Sequence, residues 1–220
     1  MLEPNSSPNR FIGLDIHRDY FVAVGVDVHL QPVYGPQSVP NSELDAWIER
    51  CLTPQDAVVL EMTTNTYQFC DALEGKVYSV TAVHPPNVAL VTRVSVKTDK
   101  KAALSLAQLH AAGLLEGVWI PPLAVRDLRA VIGQRNKMVR LSTIAKNRLN
   151  AVLHRNHLKY DGKKSKFTPE QREWWERLPL TEMERLRVSS DLDTLEFADQ
   201  QTEKIEAVLR KEAAKDERCQ

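Results

Sequence analysis

The chain has 220 residues, which is enough for one domain of typical size with a helical extension, or for two small domains, without disulfides or a structural metal. Its hydrophobic content of 43%, charged content of 26% and formal net charge of zero are those of an ordinary soluble protein. Three cysteines without paired spacing, and the lack of a long apolar run, argue against a disulfide framework, a zinc site, a signal peptide or a membrane span, and favour a reducing cytoplasm.

The first third of the chain is dominated by predicted strands. Residues 1–9 are polar and rich in Pro, Ser and Asn, and we expect them to be disordered. The segments FIGLDIH, YFVAVGVD and QPVYG predict three short successive strands separated by turn-like breaks. A helix with Ser42 as its N-cap is predicted next, because apolar residues then recur at helical spacing. The continuous apolar segment AVVLEM predicts a strand that is covered on both faces.

Strands and helices then alternate. TYQFCDALEG predicts a short helix that ends near Gly75, and VYSVTAV predicts a strand. NVALVTRV predicts a short helix, and a longer helix is predicted to begin at Asp99. The order β-β-β-α-β-α-β-α-α predicts an α/β fold, in which a mixed sheet is flanked by helices.

From about Val125 the chain is predicted to be helical and strongly basic. Residues 121–166 contain twelve Lys or Arg and two Asp, a net charge of +10, which the rest of the chain balances. Six of the basic residues fall in a stripe about 100° wide on an ideal helix, apart from its apolar face. They are Arg126, Arg129, Lys137, Arg140, Arg148 and Arg155. Together with Lys163 and Lys164 in the following loop, they predict a nucleic-acid-binding surface, and a solvated helix face is the alternative interpretation.

The C-terminal residues 167–220 are predicted to be helical. FTPEQREWWERLPL predicts a short aromatic helix, and a capping box from Thr181 to Glu184 opens a long one. Its length and charge density favour a coiled coil or a helical hairpin. We expect the C-terminal helices to join copies of the chain into a homodimer or a higher homo-oligomer.

Three acidic residues lie where a metal-dependent reaction would need them. Asp15 is centred in the apolar first strand, where an ionised carboxylate is costly without a partner. Glu61 ends the strand AVVLE, and the predicted topology makes this strand end a neighbour of the first strand. A helix packed over that edge can add Asp99. Taken alone, Asp99 is better explained as a favourable charge at a helix N-terminus.

Such a cluster implies a cation, because neighbouring carboxylates repel each other when no ion lies between them. Hard oxygen ligands of this kind suit Mg²⁺ or Mn²⁺. Two such ions can activate the nucleophile and stabilise the leaving oxygen in phosphodiester transfer. Most of the histidines, including His17, are scattered among strands and helix ends, and we expect most of them to be structural or solvent-facing.

Three segments in order, FIGLDIHRDYFVAVGVD, VVLEMTTNTY and VSVKTDKKAALSLAQL, resemble the three sequence blocks of the DEDD transposases. These are recombinases of insertion sequences that encode a bridge RNA, and they are related to the Piv invertases. The resemblance runs from about Phe11 to the long helices near residue 210. It implies a ribonuclease-H-like (RuvC-like) domain followed by a coiled coil, and Mg²⁺-dependent cleavage and transfer of DNA strands guided by a structured RNA. It also implies that Asp15, Glu61 and Asp99 are catalytic and bind the metal.

Two departures from the family pattern predict an impaired enzyme. The third block of the family has a second acid three residues after the first, on the same helical face, and this chain has Ala102 there. We therefore expect weakened metal binding and loss of strand cleavage. The family also has a C-terminal domain with a serine that is thought to link to DNA. We expect this chain to be the N-terminal portion of a longer recombinase or a natural truncation.

These observations predict a disordered segment at 1–9, a RuvC-like catalytic domain at 10–118, a basic helix and loop at 119–166, and a helical or coiled-coil region at 167–220. The predicted function is that of the N-terminal domain of a DNA transposase. A non-catalytic transposase fragment that binds RNA or DNA is the alternative, which Ala102 favours. An actin-like ATP-dependent kinase is less favoured, because that fold needs Gly and Thr directly after its first acid, and Ile16 and His17 follow Asp15.

Overall fold

The computed structural model describes residues 7–85 and 98–215. The chain divides into two compact units, Met1–Ile120 and Pro121–Gln220. The first six residues of the segment predicted to be disordered, and the helix predicted from NVALVTRV, lie outside the described residues. None of the helices in the described ranges is both long and apolar enough to cross a bilayer.

The first unit is built on a five-stranded mixed sheet. Its strands are β1 (Arg10–Ile16), β2 (Tyr20–Val26), β3 (Pro32–Pro40), β4 (Asp56–Glu61) and β5 (Ser79–Val83). The spatial order is β3-β2-β1-β4-β5. The β1–β2 and β2–β3 pairs are antiparallel, whereas β1–β4 and β4–β5 are parallel. The predicted mixed sheet is therefore confirmed, and its topology is consistent with a ribonuclease-H-like fold.

Helices cover both faces of this sheet, because the strands are apolar on both sides. On one face, Leu14 and Leu60 share a core with α1 (Leu44–Cys51) and α2 (Thr66–Leu73). On the other face, α3 (Asp99–Ala111) packs Ala103 and Leu106 against the strands. Alternation along β1 places Gly13 and Asp15 on the face that α3 covers.

The ends of two helices in this unit test the sequence predictions. Gly75 follows the end of α2 with a φ of 73°, the left-handed conformation that glycine adopts without strain, so its predicted role at the helix end is confirmed. The prediction of Ser42 as an N-cap was wrong. Ser42 lies inside a 3-10 turn, Asn41–Glu43, that precedes α1, and the N-cap residue is Glu43 without a side-chain cap.

The second unit is a helical hairpin. Its long helices, α4 (Leu123–Arg155) and α6 (Glu182–Ala213), are antiparallel, because Arg135 pairs with Glu206 while Arg155 pairs with Glu184. Between them lies a 3-10 turn, Pro169–Gln171, followed by α5 (Arg172–Glu176). The core of the unit joins α4, α5 and α6 around the fully buried Trp175. Thr181 caps α6 by accepting a hydrogen bond from the Glu184 amide at 3.3 Å, which is one half of the predicted capping box.

Candidate active site

Asp15 lies on β1, on the face that carries Gly13. Its side chain is 21% exposed, so the carboxylate is mostly shielded from water by the surrounding structure. Gly13 sits directly under α3, since a Cβ built there would meet the Ala103 carbonyl oxygen at 2.1 Å and the Ala107 amide nitrogen at 2.7 Å. The absence of a side chain at Gly13 therefore allows α3 to lie directly on β1, close to Asp15.

The first turn of α3 places Asp99 close to Asp15. Thr98 is the N-cap, and its hydroxyl accepts a hydrogen bond from the Lys101 amide at 3.4 Å. Asp99 is the first residue of the helix, where the partial positive charge of the free amides favours a carboxylate. The sequence-distant Asp15 and Asp99 are thus brought together, one from the sheet and one from the helix.

His17 lies between these two carboxylates. Its Nε2 atom is 3.4 Å from Asp15 Oδ2 and 3.4 Å from Asp99 Oδ2. One ligand atom from each of the three residues lies within 4.8 Å of the other two. The Nε2 atom is shielded from solvent and has no hydrogen-bond partner among the described residues. A buried imidazole nitrogen that makes no hydrogen bond can offer its lone pair to a cation, and we refer to Asp15, His17 and Asp99 as the acidic centre.

Tyr20 holds two members of the acidic centre in position. Its ring stacks on His17 with the centroids 4.7 Å apart, and its hydroxyl donates a hydrogen bond of 2.8 Å to Asp99 Oδ2. That hydrogen bond raises the pKa of Tyr20 above its ordinary value, because the carboxylate stabilises the protonated phenol. The ring and the carboxylate are both restrained by one side chain, which is a typical arrangement around metal ligands.

Glu61, the second acid of the sequence prediction, lies on the strand beside Asp15. Leu14 pairs with Leu60 in the parallel β1–β4 ladder. The next residues along the two strands are Asp15 on β1 and Glu61 on β4, so they lie at the same level of the sheet. The Glu61 carbonyl oxygen accepts a hydrogen bond from the Thr66 hydroxyl at 2.9 Å, which anchors the strand end to α2. Glu61 is not part of the group of three ligand atoms, so its role in metal binding stays a prediction.

The acidic centre reaches the surface at Asp99, whose side chain is 43% exposed. A pocket of about 340 Å³ borders His17 and is lined by the β1–β2 turn and the loop after β4, including Thr63 and Asn65. Ala102 lies one turn along α3 from Asp99 and is half-buried. Residues three apart on a helix share a face. The position that bears an acid in the resembling family is therefore on the same side of α3 as Asp99.

These residues fit a divalent cation. Two ligands at right angles on an ion with bonds of about 2.1 Å lie about 3.0 Å apart. The 3.4 Å separations from His17 Nε2 to the two carboxylates are close to this value. Two carboxylates and an unpartnered imidazole nitrogen also supply the charge and the lone pairs that such an ion needs.

His17 is the site residue that sequence reasoning missed. From the sequence, we expect most of the histidines, including His17, to be structural or solvent-facing. A signal was nevertheless present, because residues two apart on a strand point to the same face. Asp15 and His17 fulfil this spacing, at the end of a strand whose other face is apolar.

The predicted nucleic-acid-binding residues have two different environments within the second unit. Arg148 pairs with Asp191 at 3.4 Å and Arg155 with Glu184 at 2.9 Å, so both connect α4 to α6. A second set of the predicted cations is exposed and makes no ion pair within the described ranges: Lys137, Arg140, Lys163 and Lys164. Arg126 and Arg129 also have interaction partners. The basic stripe is therefore partly a set of contacts between helices.

Comparison with known proteins gives one family. A family model of IS110-type DEDD transposases, described as a transposase, matches residues 12–157. This range includes Asp15, His17, Glu61 and Asp99, and it ends just beyond α4. A search of curated proteins returned no match.

Proposed function

Because the chain belongs to the family of IS110-type DEDD transposases, we propose that its first unit is the metal-dependent catalytic domain of a DNA transposase, RuvC-like in type. The observation that carries the proposal is the convergence of Asp15, His17 and Asp99 within 4.8 Å. Sequence-distant carboxylates in one place are costly, and a bound cation offsets their repulsion. The substrate class is DNA, and the reaction is cleavage and transfer at phosphodiester bonds.

In this proposal Asp15 and Asp99 hold Mg²⁺ or Mn²⁺, and Glu61 supplies a further carboxylate from the neighbouring strand. When bound, such ions polarise a phosphoryl oxygen and lower the pKa of an attacking water. Tyr20 fixes the Asp99 carboxylate by its hydrogen bond, and the pocket beside His17 gives a phosphate group a path to the site. The backbone at Gly13 keeps α3 close enough for both carboxylates to act together.

Ala102 limits the chemistry that we propose for this chain. A methyl group on the Asp99 side of α3 supplies no ligand where the resembling family has a carboxylate. One fewer negative ligand lowers the affinity for a hard cation. We therefore propose that strand cleavage is impaired and that nucleic-acid binding is retained.

The second unit is proposed to bind the nucleic acid. Lys137 and Arg140 on α4, together with Lys163 and Lys164 in the following loop, are exposed and make no ion pair within the described ranges, so their charge can act on phosphates. Lys164 also interacts electrostatically with Glu170. A structured guide RNA is the partner that we propose beside DNA. A non-catalytic RNA- or DNA-binding role is the second candidate, and Ala102 is the observation that favours it.

An exposed apolar stripe on α6 supports self-association. Leu186, Phe197 and Val208 are each at least 50% exposed and follow one another at intervals of 11 residues. Eleven residues make about three helical turns, so the three side chains lie on one face. We propose that this face joins two or more copies of the chain, and analytical ultracentrifugation of a Phe197→Glu variant tests it. An unchanged sedimentation coefficient contradicts the proposal.

The metal site is tested by titrating Mn²⁺ into the full chain by calorimetry and by electron paramagnetic resonance. We expect wild-type protein to bind Mn²⁺, and the Asp15→Asn variant to bind it at least about tenfold more weakly. Asp45→Asn is the matched control, because Asp45 is exposed and lies on α1. Equal affinities of the Asp15→Asn and Asp45→Asn variants, or no binding by the wild type, refute the metal-dependent function.

Gel-shift titrations separate the transposase from the non-catalytic candidate. Labelled duplex DNA and structured RNA are compared at several salt concentrations, with and without Mg²⁺. Binding that weakens steeply with salt supports the basic surface. Binding that does not change with Mg²⁺ favours the non-catalytic candidate, and absence of all nucleic-acid binding rejects both candidates.

A further inference from the structure

We propose that His17 is a direct metal ligand, and that its imidazole makes the acidic centre prefer divalent transition-metal ions such as Mn²⁺ over Mg²⁺. The inference rests on the proposed metal-dependent function and specifies which ions that site accepts. It concerns a nitrogen ligand that the set of acidic residues alone does not predict.

The geometry around His17 supports this role. Its Nε2 atom is equidistant, at 3.4 Å, from the nearest oxygens of Asp15 and Asp99. Both distances exceed those of a normal charge-assisted hydrogen bond, which are about 2.7–2.9 Å. An ion bound to all three atoms would hold them at separations of this size. The ring is therefore placed as a ligand next to two others, rather than as a close hydrogen-bond partner of either.

The environment of the imidazole supports the same role. Nε2 is buried and lacks a hydrogen-bond partner among the described residues, and a buried polar atom in this state is rare in folded proteins. Tyr20 stacks on the ring and restrains its orientation. Ligands held in place before an ion arrives lose little conformational freedom on binding. A metal ion would satisfy the orphaned nitrogen.

The preference between ions follows from ligand chemistry. Mg²⁺ is a hard cation that takes oxygen ligands in a near-ideal octahedron and keeps several waters. Imidazole nitrogen is a softer ligand, and it binds first-row transition-metal ions more readily than Mg²⁺. An imidazole added to the carboxylates therefore favours a transition-metal ion. Because Ala102 supplies no carboxylate, the His17 nitrogen is one of fewer protein ligands than it would be with an acid at position 102.

The direct test is electron spin-echo envelope modulation of Mn²⁺ bound to the 220-residue chain. We expect modulation from a coordinated ¹⁴N nucleus in the wild type, loss of that modulation in His17→Asn, and its retention in the control His29→Asn. His29 is exposed in the β2–β3 turn. In calorimetry, His17→Asn should weaken Mn²⁺ binding by about tenfold while Mg²⁺ binding changes less than about threefold.

The outcomes distinguish this inference from the proposed function. Bound Mn²⁺ without ¹⁴N modulation in the wild type overturns the role of His17 and leaves the metal site intact. Equal weakening of Mn²⁺ and Mg²⁺ binding in His17→Asn overturns the ion preference. No Mn²⁺ binding by the wild type refutes the proposed function itself. The wild-type spectrum decides the ligand role without any variant, so a folding defect in His17→Asn does not block the test.

Discussion

Gly13 on β1 and Ala103 on α3 are in direct backbone contact, and a Cβ at Gly13 would lie 2.1 Å from the Ala103 carbonyl oxygen. No real Cβ approaches a backbone oxygen so closely, so any other residue at position 13 must push α3 away from the sheet. Because Asp99 begins that helix, the spacing of the acidic centre depends on a residue that carries no functional group. The packing of α3 on β1 at this contact therefore determines the distance between the Asp15 and Asp99 carboxylates.

Replacing Gly13 with Ala should reduce both stability and metal binding. Overpacking of this kind costs about 1–3 kcal/mol of unfolding free energy. The displaced α3 should also lower the Mn²⁺ affinity, since Asp99 moves with it. Urea denaturation and calorimetry measure the two effects. Gly133→Ala is the matched control, because a Cβ at Gly133 in α4 would meet nothing within 4 Å, and Ala stabilises a helix interior by up to about 1 kcal/mol. A Gly13→Ala variant with the stability and the Mn²⁺ affinity of the wild type would contradict the close packing of α3 on Gly13.

Replacing Tyr20 with Phe should weaken metal binding while leaving the fold intact. The change removes the 2.8 Å hydrogen bond to Asp99 but keeps the ring that stacks on His17. Loss of a hydrogen bond to a ligand typically reduces metal affinity by about tenfold or more. Tyr78→Phe, at another exposed tyrosine of the same unit, serves as the control in Mn²⁺ titrations. Equal affinities of the two variants would show that Tyr20 does not position Asp99.

Replacing Ala102 with Asp should strengthen Mg²⁺ binding. The new carboxylate would lie on the Asp99 side of α3, and each added negative ligand raises the affinity for a hard cation, here by about tenfold. Ser105→Asp adds the same charge one turn farther along the helix and should have a smaller effect. Calorimetric titrations that do not differ between wild type and Ala102→Asp would rule out a ligand position at residue 102.

Basic residues of α4 that pair with α6 and basic residues that are exposed should have different effects when they are replaced with Ala. Arg148→Ala leaves the mostly buried Asp191 without its ion-pair partner and should cost about 1–2 kcal/mol of stability. Lys137→Ala should change stability by less than about 0.5 kcal/mol, but should weaken nucleic-acid binding and reduce its salt dependence by about one ion. Denaturation curves and salt titrations measure both. A stability loss with Lys137→Ala alone would reverse the assignment.

The stability of the first unit should fall in mild acid because of His110. Burial lowers the pKa of His110, since its side chain packs edge-on against Phe11 and its Nε2 atom has no hydrogen-bond partner among the described residues. The unfolded chain therefore binds a proton at a higher pH than the folded one. Stability is full above the ordinary histidine pKa of about 6.5 and declines as the pH falls from there towards the lowered folded pKa. Denaturation at several pH values should show a smaller decline for His110→Leu, and an identical decline would exclude His110 as the cause.

Much of the fold could be predicted from the sequence because its signals are local. Continuous apolar segments predicted β1, β2 and β4, and Gly75 marked a helix end. The position of Ser42 was misjudged because a 3-10 turn before α1 leaves no trace in the spacing of apolar residues. Local patterns thus predict elements well and their exact starts less well.

The candidate site was only partly predictable, because its contacts join residues that are far apart in sequence. Asp15 could be predicted because an acid in an apolar strand is rare, and Asp99 because it begins a helix. The role of His17 depends on its distances to both carboxylates, which only the folded structure shows. Likewise, the helical stripe predicted free cations, but the acids that pair with Arg155 and Arg148 lie 29 and 43 residues away. Such ion pairs depend on tertiary packing, and the spacing of residues along one helix cannot predict them.

The acidic centre exists only when β1 and α3 are packed together, since Asp15 and Asp99 come from different elements. An unfolded chain therefore has no comparable site, and a bound ion stabilises the folded state by mass action. At a free concentration of 100 times the dissociation constant, this stabilisation is about 2.7 kcal/mol. Metal availability would then change the resistance of the first unit to unfolding, as well as the occupancy of its site.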